Sequence, residues 1–480
     1  MILLINYKKI ENINIYCSFK FLVSPTATHL TKAAVFGAVL RQQTYSTTFS
    51  SSSTTLVSRL PVADSASRAA NTPPRSGALK LAGGDNHTTL LSSIKSSLLN
   101  MFDTKEANIL RLVCKEFNQA VKENPWEDLN TKIWNVSKWR QCFPCAKGAL
   151  LFMSDITDTY FVHLRGIKTL KIKWCDQITD AAFAHLVGIQ TLTMSGCIQI
   201  TDAAFVNLQG IKSLNMEYCT HITDAAFVNL QGIKSLNMEY CTQITGAAFP
   251  NLKGIKSLNM RGCTNVNDDA FVHLRGIHSL DIGSCTQITD AAFVHLKGIQ
   301  SLNMWNCTNI TDAAFVHLKG IQTLNMGCCD QLTITDAAFE HLKGIHTLDM
   351  WSCDQPTITD AAFANLSGIK ALYMGYCNQP TITDAAFVHL AGIHTLDISQ
   401  SIEPDDPKLN ITDAVFVYLK GIHTLHMCRI GQGITGAGLV HLVGIHKLDI
   451  FECTLNIMSA AHEHLPDCQV IFSRFISSMN

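Results

Sequence analysis

The chain has 480 residues, 47% of them hydrophobic and only 16% charged, with 37 basic against 38 acidic side chains. That balance excludes a polyphosphate-binding surface as the main business, since such surfaces carry a basic excess, so no nucleic acid partner is expected. The apolar fraction excludes disorder over most of the length, and no apolar run reaches the roughly 18–20 residues that cross a bilayer, so no membrane partner is expected either.

Residues 1–89 come first. Tyr45 to Ser58 is almost all Ser and Thr, and before Asp64 the only acidic residue is Glu11, against Lys8, Lys9, Lys20, Lys32, Arg41 and Arg59. Such a stretch reads as a disordered tail. Acid-poor and Ser-rich is also the composition of an organellar transit peptide. An over-extended start is the third reading.

Residues 90–130 read as a small helical module. Leu110, Val113, Cys114 and Phe117 fall on one helical stripe, but so short a segment cannot bury a core alone and must dock on something. The string resembles an F-box. Phe102-Asp103 matches that family's hydrophobic-Asp turn, Leu112-Val113-Cys114-Lys115-Glu116-Phe117 its most recognisable run, and Pro125-Trp126 its closing dipeptide. The first helix departs from the pattern, with Leu90-Leu91-Ser92-Ser93 where the family has Leu-Pro-x-Glu. The resemblance implies docking on the Skp-type adaptor of a cullin complex through Leu98, Leu99, Phe102, Leu110, Leu112, Val113 and Phe117. Sequence does not divide these between adaptor contact and module core.

Residues 131–155 are expected to form a linker and N-terminal cap. Cys142-Phe143-Pro144-Cys145 within them is a lone C-x-x-C, without the second ligand pair of a zinc ribbon. Both cysteines are read as core residues of the cap, and no metal or other cofactor is expected.

Residues 156–470 repeat. The unit G-I-x-(S/T)-L-x-(M/I)-x-x-C-x-x-I-T-D-A-A-F-x-x-L places its leading Ile at Ile167 and every 22 residues to Ile321. It continues at Ile345, Ile369 and Ile393, then at Ile422 and Ile445, for about 13 units. Strings 206–220 and 228–242 are identical, a sign of duplication. Leu214 and Met216 alternate with Ser213 and Asn215, as in a half-buried strand. Ile222 to Leu230 switches to helical spacing, with Thr223 as N-cap and Asp224 where the helix dipole favours an anion. Gly210 and Gly232 fit a left-handed C-terminal position. The pattern resembles the cysteine-containing class of leucine-rich repeats typical of F-box proteins. That implies an α/β solenoid, a horseshoe with strands on its concave side. Residues 471–480 are expected to form a C-terminal tail.

Eleven of the 18 cysteines occupy one repeat position, from Cys175 to Cys453. A uniform column reads as packing and implies a reducing compartment, the cytoplasm or nucleus, with organellar import as the alternative. Histidines recur at repeat positions shared with Asn, Lys and Gln; a column such as His273, His295 and His317 would lend mild pH sensitivity. Ile402 to Lys408 lengthens one unit and reads as an acidic, Pro-stiffened surface loop.

Function in a solenoid lives where units differ. The residues flanking the central Leu and the two before the Cys are expected on the concave face. There Trp174, Tyr218, Tyr240, Trp305, Trp351, Tyr373 and Tyr376, beside Asp349, form a candidate protein-binding surface, with Trp305, Trp351 and Tyr373 at its centre. The competing reading is packing between strand neighbours. No nucleophile–base pair or phosphate loop is present, so catalytic residues are not expected. Together the resemblances imply a non-catalytic substrate receptor of a cullin–RING ubiquitin ligase, a monomer within a complex that grips an unidentified protein. The alternative is an interaction scaffold whose degenerate F-box caps the solenoid.

Overall fold

The computed structural model describes residues 99, 102–112, 115–151, 156–401, 409–431 and 433–471. The chain divides into two compact units, Met1–Phe102 and Asp103–Asn480. The tail expected over 1–89 and the loop 402–408 lie outside the described residues.

The second unit is built on one sixteen-stranded parallel sheet whose strand order is the chain order. Its register is set by the central leucine of each unit, with Leu170 opposite Leu192 and Leu192 opposite Leu214. One unit shows how the sequence dictates this. Ile211, Leu214, Met216, Cys219, Ile222, Ala226, Phe227 and Leu230 are all buried to within 1%. Each large side chain among them contributes about 1.5–3 kcal/mol, available only when the next unit stacks on it. The strand itself is short, Ser213–Asn215.

The helical half differs from the expected α-helix. From Asp158 to Leu274 the units form 3-10 turns, as at Asp224–Leu230. From Asp290 onward several begin with one α-turn, as at Asp312–Phe315. Only seven residues separate the Thr cap from the following Gln or Lys, and the tighter 3-10 geometry covers that span. Gly210 and Gly232 then turn the chain at φ 82° and 81°, with nothing within 4 Å of where a Cβ would lie. Glycine is required there by backbone conformation alone.

Two polar ladders join the units. Asp202 accepts the backbone N–H of Thr223 at 2.8 Å and its hydroxyl at 2.6 Å. The same pair of bonds links Asp180 to Thr201, Asp312 to Thr335 and Asp360 to Thr383. Each Thr also caps its own turn, Oγ1 accepting from the Ala two residues on. So the recurrent Thr-Asp caps one unit and holds the next. The thiols form the second ladder: Cys241, Cys285 and Cys353 donate to the carbonyls of Met216, Met260 and Met326, 3.0–3.1 Å away. In the longer units Gln355 and Gln379 add an interior rung, their amides donating to the carbonyls of Cys329 and Cys353.

The Asp–Thr ladder breaks once. Gly246 replaces the Asp, and the next cap is Asn267, whose side chain makes no cap bond. Restoring both residues, Gly246→Asp with Asn267→Thr, should raise stability by about 1–2 kcal/mol through two charge-assisted bonds. Urea unfolding checks this; an unchanged midpoint would mean that the ladder bonds are worth nothing net at this exposure.

The N-terminal end is more regular than a linker. Helices α1 (Thr104–Leu110), α2 (Lys115–Glu123) and α3 (Val136–Cys142) accompany strands β1 (Lys132–Ile133) and β2 (Gly148–Leu151). Residues 131–155, expected to be linker and cap, therefore supply the first two strands of the sheet. Asp103 and Glu106 form a reciprocal capping box on α1. Asp128 accepts from the backbone and hydroxyl of Thr104 at 2.8 and 2.6 Å. Burial pushes its carboxyl up, but these bonds and those from Thr131 and Asn130 carry it down to about 2. The carbonyl of Trp126 accepts from Lys147 and Gly148 at 2.7 and 2.8 Å. This repeats the pair of bonds that the Lys168 carbonyl accepts from Gln190 and Thr191, so Pro125-Trp126 supplies the first rung of the ladder. At the other end the last strand, Gln469–Ile471, closes the sheet, one residue into the expected tail.

Candidate functional site

The strand face is floored by the side chains between and after the buried Leu and Met. The position after the Leu is mostly Asn or Asp, and it has a local task. Oδ1 of Asn215, Asn237, Asn303, Asp349 and Asp397 accepts the backbone N–H two residues on, at 2.9–3.1 Å. This Asx turn bends the chain out of the strand after three residues. The side chains also bond sideways: Asn303 donates to Asp281 at 2.9 Å and Asn325 to Asp349 at 3.0 Å. Both Asp349 oxygens are thus engaged. Burial pushes the Asp281 and Asp349 carboxyls above the usual range, against the hydrogen bonds that lower them.

The turn delivers the residue before the Cys into the left-handed region. Trp174, Tyr218, Tyr240, Asn306, Ser352 and Tyr376 all sit there, at φ 54–60°, where Gly196 and Gly262 serve in other units. A bulky residue in this conformation costs roughly 1–2 kcal/mol. Contacts along the face offset the cost. Tyr218 and Tyr240 stack at 4.9 Å between ring centroids and 15° between planes, and Trp174 lies 5.8 Å from Tyr218. To reach Tyr218, Trp174 crosses Gly196, where a Cβ would lie 2.2 Å from its ring. Tyr240 likewise crosses Gly262.

Farther along, the band moves over by one residue. Arg261, Gly283, Trp305, Gly327, Trp351 and Gly375 occupy one position in six successive units. Large side chains alternate with glycine, and each lies over the glycine beyond it. The Arg261 guanidinium sits 4.6 Å above the Trp305 ring. Cδ1 of Trp305 would be 3.0 Å from a Cβ at Gly327, and Cδ1 of Trp351 3.2 Å from one at Gly375. Trp351 then meets Tyr376 at 5.2 Å, and the Tyr376 hydroxyl accepts from Arg429 at 2.7 Å. Tyr373 lies between Asp349 and Asp397 in register, without an Asx turn of its own. Burial and those two carboxylates raise its phenol.

The structure therefore strings seven sequence-predicted aromatics along one face. Trp174 alone among them is open to solvent, at 58% exposure. The other six are half-buried, so the expectation that all are exposed is corrected. The glycine alternation and Arg261 escaped the sequence reading, which had no signal for which ring lies over which unit.

The other predicted residues divide as follows. Leu99, in the first unit, is buried, and Phe102 is half-buried. Leu110 is buried, Phe117 half-buried and Leu112 76% exposed. Leu98 and Val113 lie outside the described residues. Cys142 is buried, but Cys145 is exposed, which corrects its assignment to the core. Among the described residues no three His, Cys, Asp or Glu side chains converge as a metal-ligand set, and no helix is long and apolar enough to cross a membrane. The histidines that stack are not the column His273, His295 and His317. They are His394, His423 and His446, at 4.4 and 4.6 Å between successive centroids.

The family described as BspA type leucine rich repeat region (6 copies) matches residues 154–278, 220–346 and 286–416, together more than half of the chain. No curated protein matches. Among solved structures the chain is similar to Toll in the Toll–Spatzle complex of Drosophila, at 12% identity and TM-score 0.48, covering 66% of this chain and 52% of that one. It thus spans about half the length of Toll. It is similar to a leucine-rich-repeat protein of Leptospira interrogans, at 14% identity and TM-score 0.48, covering 72% of this chain and 100% of that one. A chain of the yeast Rad7–Elc1 complex is matched at 13% identity and TM-score 0.36, over 76% of this chain and 96% of that one.

Proposed function

The chain belongs to the BspA type leucine rich repeat family, and from that premise we propose that it is a non-catalytic protein-binding solenoid that grips its partner on the strand face. One observation carries the reading. Aromatic side chains recur along the strand face at the positions where units differ, with Trp174, Tyr240, Trp305 and Trp351 each lying over the glycine of the next unit. Rigid aromatic area of this kind dominates interface energetics. The test is capture of partners by the full-length protein, compared with Trp305→Ala/Trp351→Ala. The double variant should lose capture while unfolding within about 2 kcal/mol of wild type, since both rings are only half-buried. A large stability loss with capture intact would assign the band to packing alone.

The finer reading adds the F-box-like segment: the chain is a substrate receptor of a cullin–RING ubiquitin ligase, in the cytoplasm or nucleus. The run Leu112–Phe117 supports it, as does the exposure of Ile109 and Leu112, at 46% and 76%. A second reading has its own support. Asp128 and the Trp126 carbonyl tie residues 104–126 into the first rung of the sheet, as a cap would be tied. A pull-down with the Skp-type adaptor separates them. Binding that Leu112→Asp abolishes favours the receptor; no binding by folded protein favours the cap.

A further inference from the structure

We propose that the edge of the solenoid where each helical turn hands over to the next strand is a docking surface for an anionic lipid bilayer. This edge lies apart from the strand face, and the proposal does not rest on the reading above.

The near-zero net charge conceals how the charges are sorted. Each unit from Arg165 to His446 offers this edge two side chains, one before the turn glycine and one after the Ile that follows it. The backbone aligns them in columns. The N–H of Lys256 donates to the Lys234 carbonyl, that of His278 to Lys256 and that of Gln300 to His278, unit after unit. Of these 26 places, twelve hold Lys or Arg, all twelve exposed, and none holds Asp or Glu. Lys253, Lys256, Arg275, Lys297, Lys319 and Lys343 crowd five successive units. Among the described residues none of the twelve lies in an ion pair; the pairs join His426 to Asp449 and Arg429 to Glu452. Lys168 and Lys256 donate only to the carbonyls of Gly188 and Gly276, at 2.8 and 3.2 Å, so their stems lie along the edge. The helical residues leading into the edge include one carboxylate, Glu340, and the caps beyond the repeats add Glu127, Glu463 and Asp467. The Asp–Thr ladder stands across the unit, at the start of the helical turn rather than its end. Like charges abreast at about 4.8 Å repel one another, and an anionic surface relieves that repulsion.

Charge alone would suit any polyanion; a second observation selects the bilayer. Val272 and Val316 stand three residues before Arg275 and Lys319, in 3-10 turns that end at those cations. Residues three apart eclipse in this geometry, so each cation stands beside an exposed valine. Val206, Val228, Val272, Val294 and Val316 are 42–60% exposed and share one repeat position, with Pro250 among them. Nucleic acid or an acidic peptide would use the cations and leave this stripe in water. Against a bilayer the valines enter the headgroup boundary while Lys and Arg keep their charges at the phosphates. Single-stranded nucleic acid also calls for aromatic platforms, and of Phe, Tyr and Trp these positions hold Tyr418 alone. The expectation of no membrane partner rested on the missing apolar run, which bears on crossing a bilayer and not on lying against one.

Co-sedimentation of the full-length protein with vesicles tests this. The vesicles are phosphatidylcholine alone and an equal mixture of phosphatidylcholine and phosphatidylserine, with duplex DNA and polyglutamate as rival ligands. The mixed vesicles should capture the protein, exceed phosphatidylcholine alone, and lose it as salt rises. Lys253→Gln/Lys297→Gln/Lys319→Gln should weaken capture by on the order of a hundredfold at unchanged Tm. Val294→Ser/Val316→Ser should weaken it by roughly tenfold. Lys171→Gln/Lys173→Gln, on the strand of Trp174, should leave it nearly unchanged. Equal capture by phosphatidylcholine, no capture by the mixed vesicles, or tighter binding of DNA or polyglutamate overturns the proposal. So does indifference to either set of edge substitutions. Indifference to the Gln variant would place binding on other cations, Lys8, Lys9 and Lys20 among them; indifference to the Ser variant would leave charge without membrane contact.

Discussion

Replacing Phe315 with alanine should lower the unfolding free energy by about 3–5 kcal/mol. Phe315 belongs to a column of twelve phenylalanines, Phe161 to Phe416, whose side chains are fully buried. Its neighbours in the column are Phe293 and Phe339, each fixed by the same contacts in its own unit. Strand register and the Asp–Thr ladder hold the spacing between units, so the structure cannot collapse into the space left behind. The cost therefore includes a cavity as well as lost transfer energy. Stability in a solenoid is a sum of unit and interface contributions, and Phe315 contributes to two interfaces. Urea unfolding followed by circular dichroism should show an earlier transition, and one that broadens or splits as coupling between the halves weakens. Phe315→Leu should cost much less, since it refills most of the volume. A loss below about 1 kcal/mol for the alanine variant would mean that adjacent units slide together to close the gap.

The fold was largely legible because the repeat writes the same burial pattern thirteen times. Leu214, Met216, Phe227 and Leu230 announce strand and helix locally, and a fixed period places each beside its copy. What was not legible lies between copies. Asp224 read locally is an anion at a helix N-terminus; its hydrogen bonds go to Thr245, one unit away. Asn215 read locally is a polar surface residue; its side chain ends the strand. The left-handed turn before the Cys was obscured because glycine marks it at Gly196 and Gly262 while Trp174, Tyr218 and Tyr240 occupy it in their units. The candidate site was legible as a list of aromatics, but not as a surface. Which ring covers which glycine depends on a one-residue shift of the band between Tyr240 and Arg261, and that shift has no meaning until the strands are stacked. At the N-terminal end the F-box-like string hid a structural fact of another kind, that the Trp126 carbonyl continues the ladder of the repeats.

The thiol column leads to the second large effect, a steep loss of stability in alkali. Cys219 is pushed up to about 11 and Cys263, Cys285 and Cys329 to about 12, burial being the main cause. In the unfolded chain the same thiols ionise near 9. The folded state therefore holds these protons to higher pH than the unfolded state does. Stability from this source is fully present below the unfolded value and is lost as pH rises through the folded one. Integrated over that difference, each thiol costs about 1 kcal/mol between about pH 9 and pH 10, so these four together cost about 4 kcal/mol. Neutral Cys241 and Cys285 also donate to the carbonyls of Met216 and Met260, bonds a thiolate cannot make. Cys263→Ala/Cys285→Ala/Cys329→Ala isolates the effect from tyrosine and lysine titration. The variant should start less stable at neutral pH, having lost three ladder bonds, yet fall less steeply above about pH 9. Urea midpoints across that range read the slope directly. Parallel slopes for the two proteins would show that the buried thiols ionise without unfolding. The column would then be open to alkali, and its cysteines should react with a thiol reagent as fast as exposed Cys145.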